Sequence, residues 1–176
     1  MPTNGRTGLV IPVPAAEGLL ELVEGRHPGS VRQGVPAHVS LLYPFVGVAE
    51  LSDRDTEVLR ELFLEQQPMR VVFGECYRRG GFVALRPRPL EGLIELTNKT
   101  RRRWPDVVPY GGLYGDVEPH LTVALDTSEE TALTIEQEVT DQLPISAELH
   151  EAWLLAFEGR WMLRDRFDFG MVASAG

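Results

Sequence analysis

The hydrophobic positions in the first half of the chain predict five elements in the order strand, helix, strand, helix, strand. They cover residues 8–13, the segment ending at Gly25, residues 36–45, the segment beginning at Ser52 or Asp53, and residues 69–79. The strands are short apolar runs, whereas Leu19, Leu20 and Val23 recur at the spacing of one helix face. Loops rich in proline and glycine separate these elements, as breakers of regular structure do.

The second half of the chain repeats this order and then adds one strand. The predicted elements are a strand at 82–86, a helix at 89–104, a strand at 120–125, a helix at 129–142, a long strand at 145–157 and a final strand at 161–170. Gly80-Gly81 predicts a tight turn that joins the strands on either side as a hairpin. The pattern therefore predicts one domain over residues 1–176, with two structural repeats at about 7–79 and 82–170.

The third element of each predicted repeat carries the same polar pair on an otherwise apolar strand. The first is His38-Val39-Ser40-Leu41 and the second is His120-Leu121-Thr122-Val123. Residues two apart on a strand point to the same side. Each repeat therefore presents one imidazole beside one hydroxyl, while the alternate apolar residues face the core. A pair of hydrogen-bonded core histidines is the structural alternative.

The two polar pairs suit the chemistry of a phosphodiester if the repeats pack around one cleft. Two imidazoles with an ordinary pKa near 6.5 can serve as general base and general acid near neutral pH. Two hydroxyls can donate hydrogen bonds to the non-bridging oxygens of a phosphoryl group. This arrangement predicts in-line attack without a metal, a cofactor or a covalent intermediate.

Composition and charge narrow the class of partner. The net charge of −9 argues against binding duplex DNA, which needs a strongly basic face, but it is compatible with a small anionic ligand in one pocket. No apolar stretch reaches the 18 or so residues of a membrane helix. The single cysteine, Cys76, excludes an intrachain disulfide and a cysteine-based zinc site. We expect a cytoplasmic protein and a monomer.

The paired motifs, in particular "HVSLLYPF", "PHLTVAL" and the closing "GRWMLRDRFDFG", resemble the 2H phosphoesterase superfamily, in its 2′-5′ RNA ligase-like and cyclic phosphodiesterase branch. The resemblance implies a bilobal α+β fold, with duplicated βαβ-type units and antiparallel sheets around a central cleft. It also implies metal-independent action on 2′,3′-cyclic phosphates of nucleotides or RNA ends, or on 2′-5′ linkages. By the same resemblance, His38 and His120 are the acid–base pair, and Ser40 and Thr122 bind the substrate phosphate.

Some assignments stay open at this stage. The resemblance favours His120 as the base and His38 as the acid, but the residues themselves fit either order. Tyr114, in the glycine-rich loop before the second motif, is a candidate for stacking on a nucleobase or is simply an exposed loop residue. The alternative functions are hydrolysis of another small cyclic phosphodiester, such as an ADP-ribose cyclic phosphate, and a non-catalytic nucleotide- or RNA-binding module.

Overall fold

The computed structural model describes residues 2–108 and 117–170, which form eight strands and four helices. The strands are β1 (Thr7–Pro12), β2 (His38–Leu42), β3 (Met69–Arg79), β4 (Phe82–Arg88), β5 (Leu121–Ala124), β6 (Ile145–Leu149), β7 (Glu151–Phe157) and β8 (Trp161–Asp168). The helices are α1 (Glu17–Arg26), α2 (Asp53–Leu64), α3 (Glu91–Arg103) and α4 (Glu129–Thr140). Within these ranges, no helix is long and apolar enough to cross a membrane.

All eight strands join one curled sheet in the order β6-β3-β4-β5-β2-β1-β7-β8, and every neighbouring pair is antiparallel. The predicted α+β class is confirmed. Strands β5 and β2, which carry the two histidine motifs, lie side by side at the centre. We call β2, β1, β7 and β8 the first lobe, and β5, β4, β3 and β6 the second lobe. The two lobes are halves of one continuous sheet.

The predicted long strand at 145–157 is wrong, because the chain forms two strands on either side of His150. Strand β6 pairs with β3 in the second lobe, whereas β7 pairs with β1 in the first lobe. Two consecutive polar residues, His150 and Glu151, mark the break in the sequence, and the buried positions shift there from Ala147 and Leu149 to Ala152 and Leu154. The change of pairing partner itself depends on distant strands. Each lobe takes strands from both predicted repeats, and the repeats themselves stay a prediction.

The four helices contribute to one hydrophobic core on one face of the sheet. Their core residues are Leu19, Leu20, Val23, Leu59, Phe63, Leu93, Leu96, Ala132, Ile135 and Val139. From the two central strands, Val39, Leu41, Leu121 and Val123 join the same core. Since side chains alternate along a strand, the intervening residues of β2 and β5 lie on the opposite face of the sheet, away from the helices.

Candidate active site

Strand alternation places the two polar pairs together on the face of the sheet that the helices leave uncovered. Val39 and Leu121 are fully buried in the core. His38, Ser40, His120 and Thr122 are each partly exposed on the other face. The predicted division of these strands into a core side and a polar side is confirmed.

The pairing of the two central strands brings the four polar side chains around one point. Strands β2 and β5 are antiparallel and pair at Val39 and Leu121. One step outward in opposite directions sets His38 beside Thr122 and Ser40 beside His120. The two histidines therefore lie on one diagonal of the ladder, where residues are about 7–8 Å apart and their Cβ atoms somewhat closer. The two hydroxyls occupy the other diagonal, so a ligand at the centre is reached by all four groups.

Both imidazoles are oriented in the same way by a backbone carbonyl two residues earlier. Nδ1 of His38 lies 2.7 Å from the carbonyl oxygen of Pro36, and Nδ1 of His120 lies 2.9 Å from that of Glu118. Because a carbonyl only accepts, each Nδ1–H is the donor. In the neutral ring, Nε2 is then the unprotonated nitrogen. Each histidine thus presents the same tautomer, with Nε2 as the atom that can take up a proton.

The surroundings of His38 strongly favour its neutral form. Burial is the largest cause and lowers the pKa of His38 from 6.5 to about 4, against an opposing effect of the Pro36 carbonyl. The positive charges of Arg32 and His120 lower it further. At neutral pH, His38 is therefore a free base rather than an imidazolium.

His120 has a related but distinct environment. Burial is again the main cause that lowers its pKa, the Glu118 carbonyl opposes this, and the charge of Arg79 adds to the lowering. The ring of Phe82 meets His120 edge to face, with the centroids 5.6 Å apart. Sequence reasoning missed Arg32, Arg79 and Phe82. Nothing in their local sequence marks them, since only the folded chain brings them beside the histidines.

The strands that flank the centre extend the same face into both lobes. Register pairs Ser40 with Val10, and Val10 with Trp153, in the first lobe. It pairs Thr122 with Ala84, and Ala84 with Tyr77, in the second lobe. Directly paired residues share a face. Going outward from the centre across the sheet, each hydroxyl has a small or aliphatic residue on the next strand and a large aromatic residue on the strand after that.

Both of these aromatic rings carry an arginine. The Arg86 guanidinium lies 4.4 Å from the Tyr77 ring centroid, and the Arg166 guanidinium lies 4.8 Å from the Trp153 ring centroid. Such contacts are cation–π interactions. Sequence reasoning did not identify these pairs, because their members lie on different strands. Tyr114, the predicted stacking residue, lies outside the described residues. Across the described ranges, no cluster of three or more His, Cys, Asp or Glu side chains could hold a metal ion.

Comparison with known protein families identifies the class. Residues 12–161 match the model of the 2′-5′ RNA ligase superfamily. The match covers most of the chain, so the protein belongs to this family, and the resemblance to the 2H phosphoesterases is confirmed. Membership supports an enzyme of the phosphoesterase or ligase type. A search of curated proteins finds no match in sequence.

Solved structures share the fold over nearly the whole chain. E. coli LigT in complex with 3′-AMP is similar at 23% identity and a TM-score of 0.63, covering 96% of this chain and 99% of LigT. The apo form of LigT is similar at 25% identity and a TM-score of 0.63, over 94% of this chain and 98% of that one. The Thermus thermophilus protein TT0787 is similar at 14% identity and a TM-score of 0.59, over 93% of this chain and 97% of that one.

Proposed function

We propose that the protein is a metal-independent phosphodiesterase that opens 2′,3′-cyclic phosphates of nucleotides or RNA ends, or cleaves 2′-5′ linkages. The observation that carries this proposal is the diagonal pair of histidines, each held by a carbonyl through Nδ1 and each flanked by the hydroxyl of the facing strand. E. coli LigT has been solved with 3′-AMP, NADP+, ATP and phosphate, which supports a nucleotide-sized ligand.

In the proposed reaction, His38, His120, Ser40 and Thr122 act on one phosphodiester held at the centre of the four side chains. The hydroxyls of Ser40 and Thr122 donate to the two non-bridging oxygens and fix the phosphorus between the imidazoles. A water molecule attacks phosphorus and gives a proton to Nε2 of one histidine. The bond from phosphorus to the ribose oxygen breaks, and Nε2 of the other histidine supplies a proton to that oxygen.

We assign His38 as the base and His120 as the acid. His38 has the more strongly lowered pKa, about 4, so it is neutral and ready to accept a proton at neutral pH. The acid must hold a proton before the reaction. The negative charge of a bound phosphodiester raises the pKa of both imidazoles, and His120, whose pKa is the less lowered of the two, is the one that takes up a proton first. This order is the reverse of the one that family resemblance favoured. Tyr114 stays a proposed contact for the base of the substrate, and a cytoplasmic monomer is part of the same proposal.

The test is hydrolysis of 2′,3′-cyclic mononucleotides and of a 2′-5′-linked dinucleotide with EDTA present, with products separated by chromatography. We expect turnover by the wild type and a loss of about 10²–10⁴-fold in His38→Ala and in His120→Ala. His150→Ala is the matched control, since His150 is exposed and lies between β6 and β7, and it should retain full activity. Activity that survives in either site variant would refute the assigned roles.

Two further outcomes identify the alternatives. Binding of a cyclic nucleotide by calorimetry without any product would make the protein a nucleotide-binding module. Turnover of an ADP-ribose cyclic phosphate, with every cyclic mononucleotide left unchanged, would keep the mechanism and change the substrate. A loss of activity with EDTA that added metal restores would overturn the metal-independent step.

A further inference from the structure

The second lobe holds a pair of arginines whose charges are poorly neutralised. The Arg86 guanidinium lies over the Tyr77 ring, and the Nε of Arg86 is buried with no hydrogen-bond partner among the residues that the structure describes. Its ion pair with Glu75 is long, 4.0 Å from Nε to Oε2, and the Glu75 side chain is 57% exposed. A guanidinium stacked on a ring keeps its donors directed outward in its own plane. Arg86 is thus held in place. Its Nε is buried but its side chain is 30% exposed, so the terminal Nη groups are the donors that an anion would reach.

Arg79 is the second of these two arginines, and its charge acts on both the Tyr77 ring and the candidate catalytic centre. Its guanidinium lies 6.0 Å from the Tyr77 centroid, so Tyr77 is contacted by both arginines. Its charge also lowers the pKa of His120. Within residues 2–108 and 117–170, Arg79 makes no ion pair. Burial is the largest effect on the pKa of Tyr77 and raises it; the charges of Arg86 and Arg79 lower this pKa, and the charge of Glu118 opposes them.

The position of the ring sets the distance from the reacting phosphate. Tyr77 is paired with Ala84, and Ala84 with Thr122, so Tyr77 lies two strands from the phosphate-binding hydroxyl. Neighbouring strands are about 4.8 Å apart, which places Tyr77 about 10 Å from Thr122 along the sheet. A phosphate bound at the ring is therefore distinct from a phosphodiester held at Thr122.

We propose that Arg79 and Arg86, arranged on the ring of Tyr77, form a subsite for a second phosphate of the substrate. The inference rests on the proposed function and narrows it to substrates that carry a phosphate besides the one cleaved. The 5′-phosphate of a nucleotide and the internucleotide phosphate of an RNA end have the same chemistry at this subsite. Guanidinium groups suit it because they donate two parallel hydrogen bonds to phosphate oxygens.

The first lobe offers a matched control. Arg166 lies over Trp153 at a similar distance, but Nε1 of Trp153 donates to Glu151, so a carboxylate lies beside that ring. The charges that lower the pKa of His38 come from Arg32 and His120, not from Arg166. Arg166→Gln therefore removes an equivalent cation–π contact without touching the proposed subsite.

The experiment measures kcat/KM for three substrates: a nucleoside 2′,3′-cyclic phosphate, the same compound with a 5′-phosphate, and a dinucleotide that ends in a 2′,3′-cyclic phosphate. We expect the wild type and Arg166→Gln to prefer a substrate with a second phosphate by about tenfold or more. In Arg86→Gln and Arg79→Gln that ratio should fall towards one. Arg86→Lys keeps the charge without the planar fork and should restore the ratio only in part. The preferred phosphorylated substrate identifies the source of the phosphate.

A wild-type ratio near one, or the same ratio in Arg86→Gln and Arg166→Gln, would overturn the subsite while leaving the phosphodiesterase intact. If no cyclic phosphate is turned over, the proposed function fails instead. The subsite is then tested by calorimetry, comparing the affinity of the cyclic nucleotide with and without its 5′-phosphate in the wild type and in Arg86→Gln. Thermal melting of each variant checks that the fold is retained.

Discussion

Each lobe presents one histidine and one hydroxyl in the same arrangement, but different charged groups surround the histidine in each lobe. In both, Nδ1 of the imidazole donates to a carbonyl two residues upstream, and strand alternation sets the hydroxyl beside it. His38 has its pKa lowered to about 4, with Arg32 and His120 adding to the effect of burial. His120 packs against Phe82, and its pKa is lowered first by burial and then by the charge of Arg79. A nearly symmetric backbone can therefore hold two chemically different imidazoles, because protonation depends on neighbours that the symmetry does not control.

The largest effect expected from this difference concerns the leaving group. In a nitrophenyl phosphodiester the leaving group is nitrophenolate, which departs without a proton. Cleavage of this substrate therefore does not need the general acid. On this substrate, His120→Ala should lose about tenfold or less, whereas His38→Ala should keep its full loss of about 10²–10⁴-fold. Initial rates of the wild type and of each variant, on a 2′,3′-cyclic nucleotide and on the nitrophenyl phosphodiester, give the loss of activity for each substrate. The opposite result, with His38→Ala rescued, would restore His120 as the base.

A second comparison concerns the two hydroxyls, which lie on the other diagonal of the ladder. Ser40→Ala and Thr122→Val each remove one donor to a non-bridging oxygen. A hydrogen bond to a charged group contributes about 1.5–3 kcal/mol, so each kcat/KM should fall by about 10–100-fold. Ser40→Thr and Thr122→Ser keep the hydroxyl and serve as controls. A loss confined to one lobe would mean that only one oxygen of the phosphate is held by a side chain.

A third comparison uses the stability of the protein as a function of pH. The folded chain resists protonation of His38, whereas the unfolded chain takes up that proton near pH 6.5. The contribution of His38 to the free energy of unfolding is therefore full above pH 6.5 and is lost as the pH falls towards 4. Its upper limit is about 3.5 kcal/mol, since the shift from 6.5 to about 4 spans about 2.5 pKa units of about 1.4 kcal/mol each, and partial exposure of the ring reduces it.

Denaturant unfolding between pH 7 and pH 4 measures this contribution. The stability of the wild type relative to His38→Gln should fall across that range, with His150→Gln as the control variant. The stability of the wild type relative to His120→Gln should change less than that relative to His38→Gln. Parallel curves for the wild type and His38→Gln would show that His38 is not held neutral by the fold.

The core and the polar pairs were predictable from the sequence because both depend on local periodicity. Alternation alone places Val39 and Leu121 in the core, and it places His38 and Ser40 on the opposite face. The helices α2 and α4 begin at Asp53 and Glu129, in agreement with the predicted starts, for the same reason. These features are set within a few residues of the chain.

The rest depends on contacts between distant segments. The alternation of buried residues changes phase at His150, but the strand with which each side pairs depends on the fold. Arg79 and Arg86 look like ordinary surface residues in the sequence, yet sheet register brings both to the ring of Tyr77. The pKa of His38 depends on burial and on Arg32, neither of which its motif contains. Sequence therefore identifies the candidate groups, while the fold determines their protonation.

The smallest expected effect compares the helices that follow the two motifs. The Ser52 hydroxyl accepts from the Asp55 backbone N–H at 3.1 Å, and Asp55 returns a carboxylate to the Ser52 N–H at 2.9 Å, which completes a capping box. The Ser128 hydroxyl accepts from the Thr131 N–H at 3.0 Å, and the structure assigns no capping box there.

An N-cap contributes about 1 kcal/mol, so Ser52→Ala should cost about 1–1.5 kcal/mol and Ser128→Ala about 0.5–1 kcal/mol. Denaturant unfolding at pH 7 measures both, with Ser52→Asp and Ser128→Asp as variants that keep an acceptor at the cap. Asp55 also accepts from Nε1 of Trp104 at 3.1 Å, so it is ordered independently of Ser52. Loss of the serine then leaves a positioned carboxylate still bound to the helix start. Equal costs for Ser52→Ala and Ser128→Ala would contradict the expected order. They would mean that Asp55, held by Trp104, keeps the start of α2 capped when the Ser52 hydroxyl is absent.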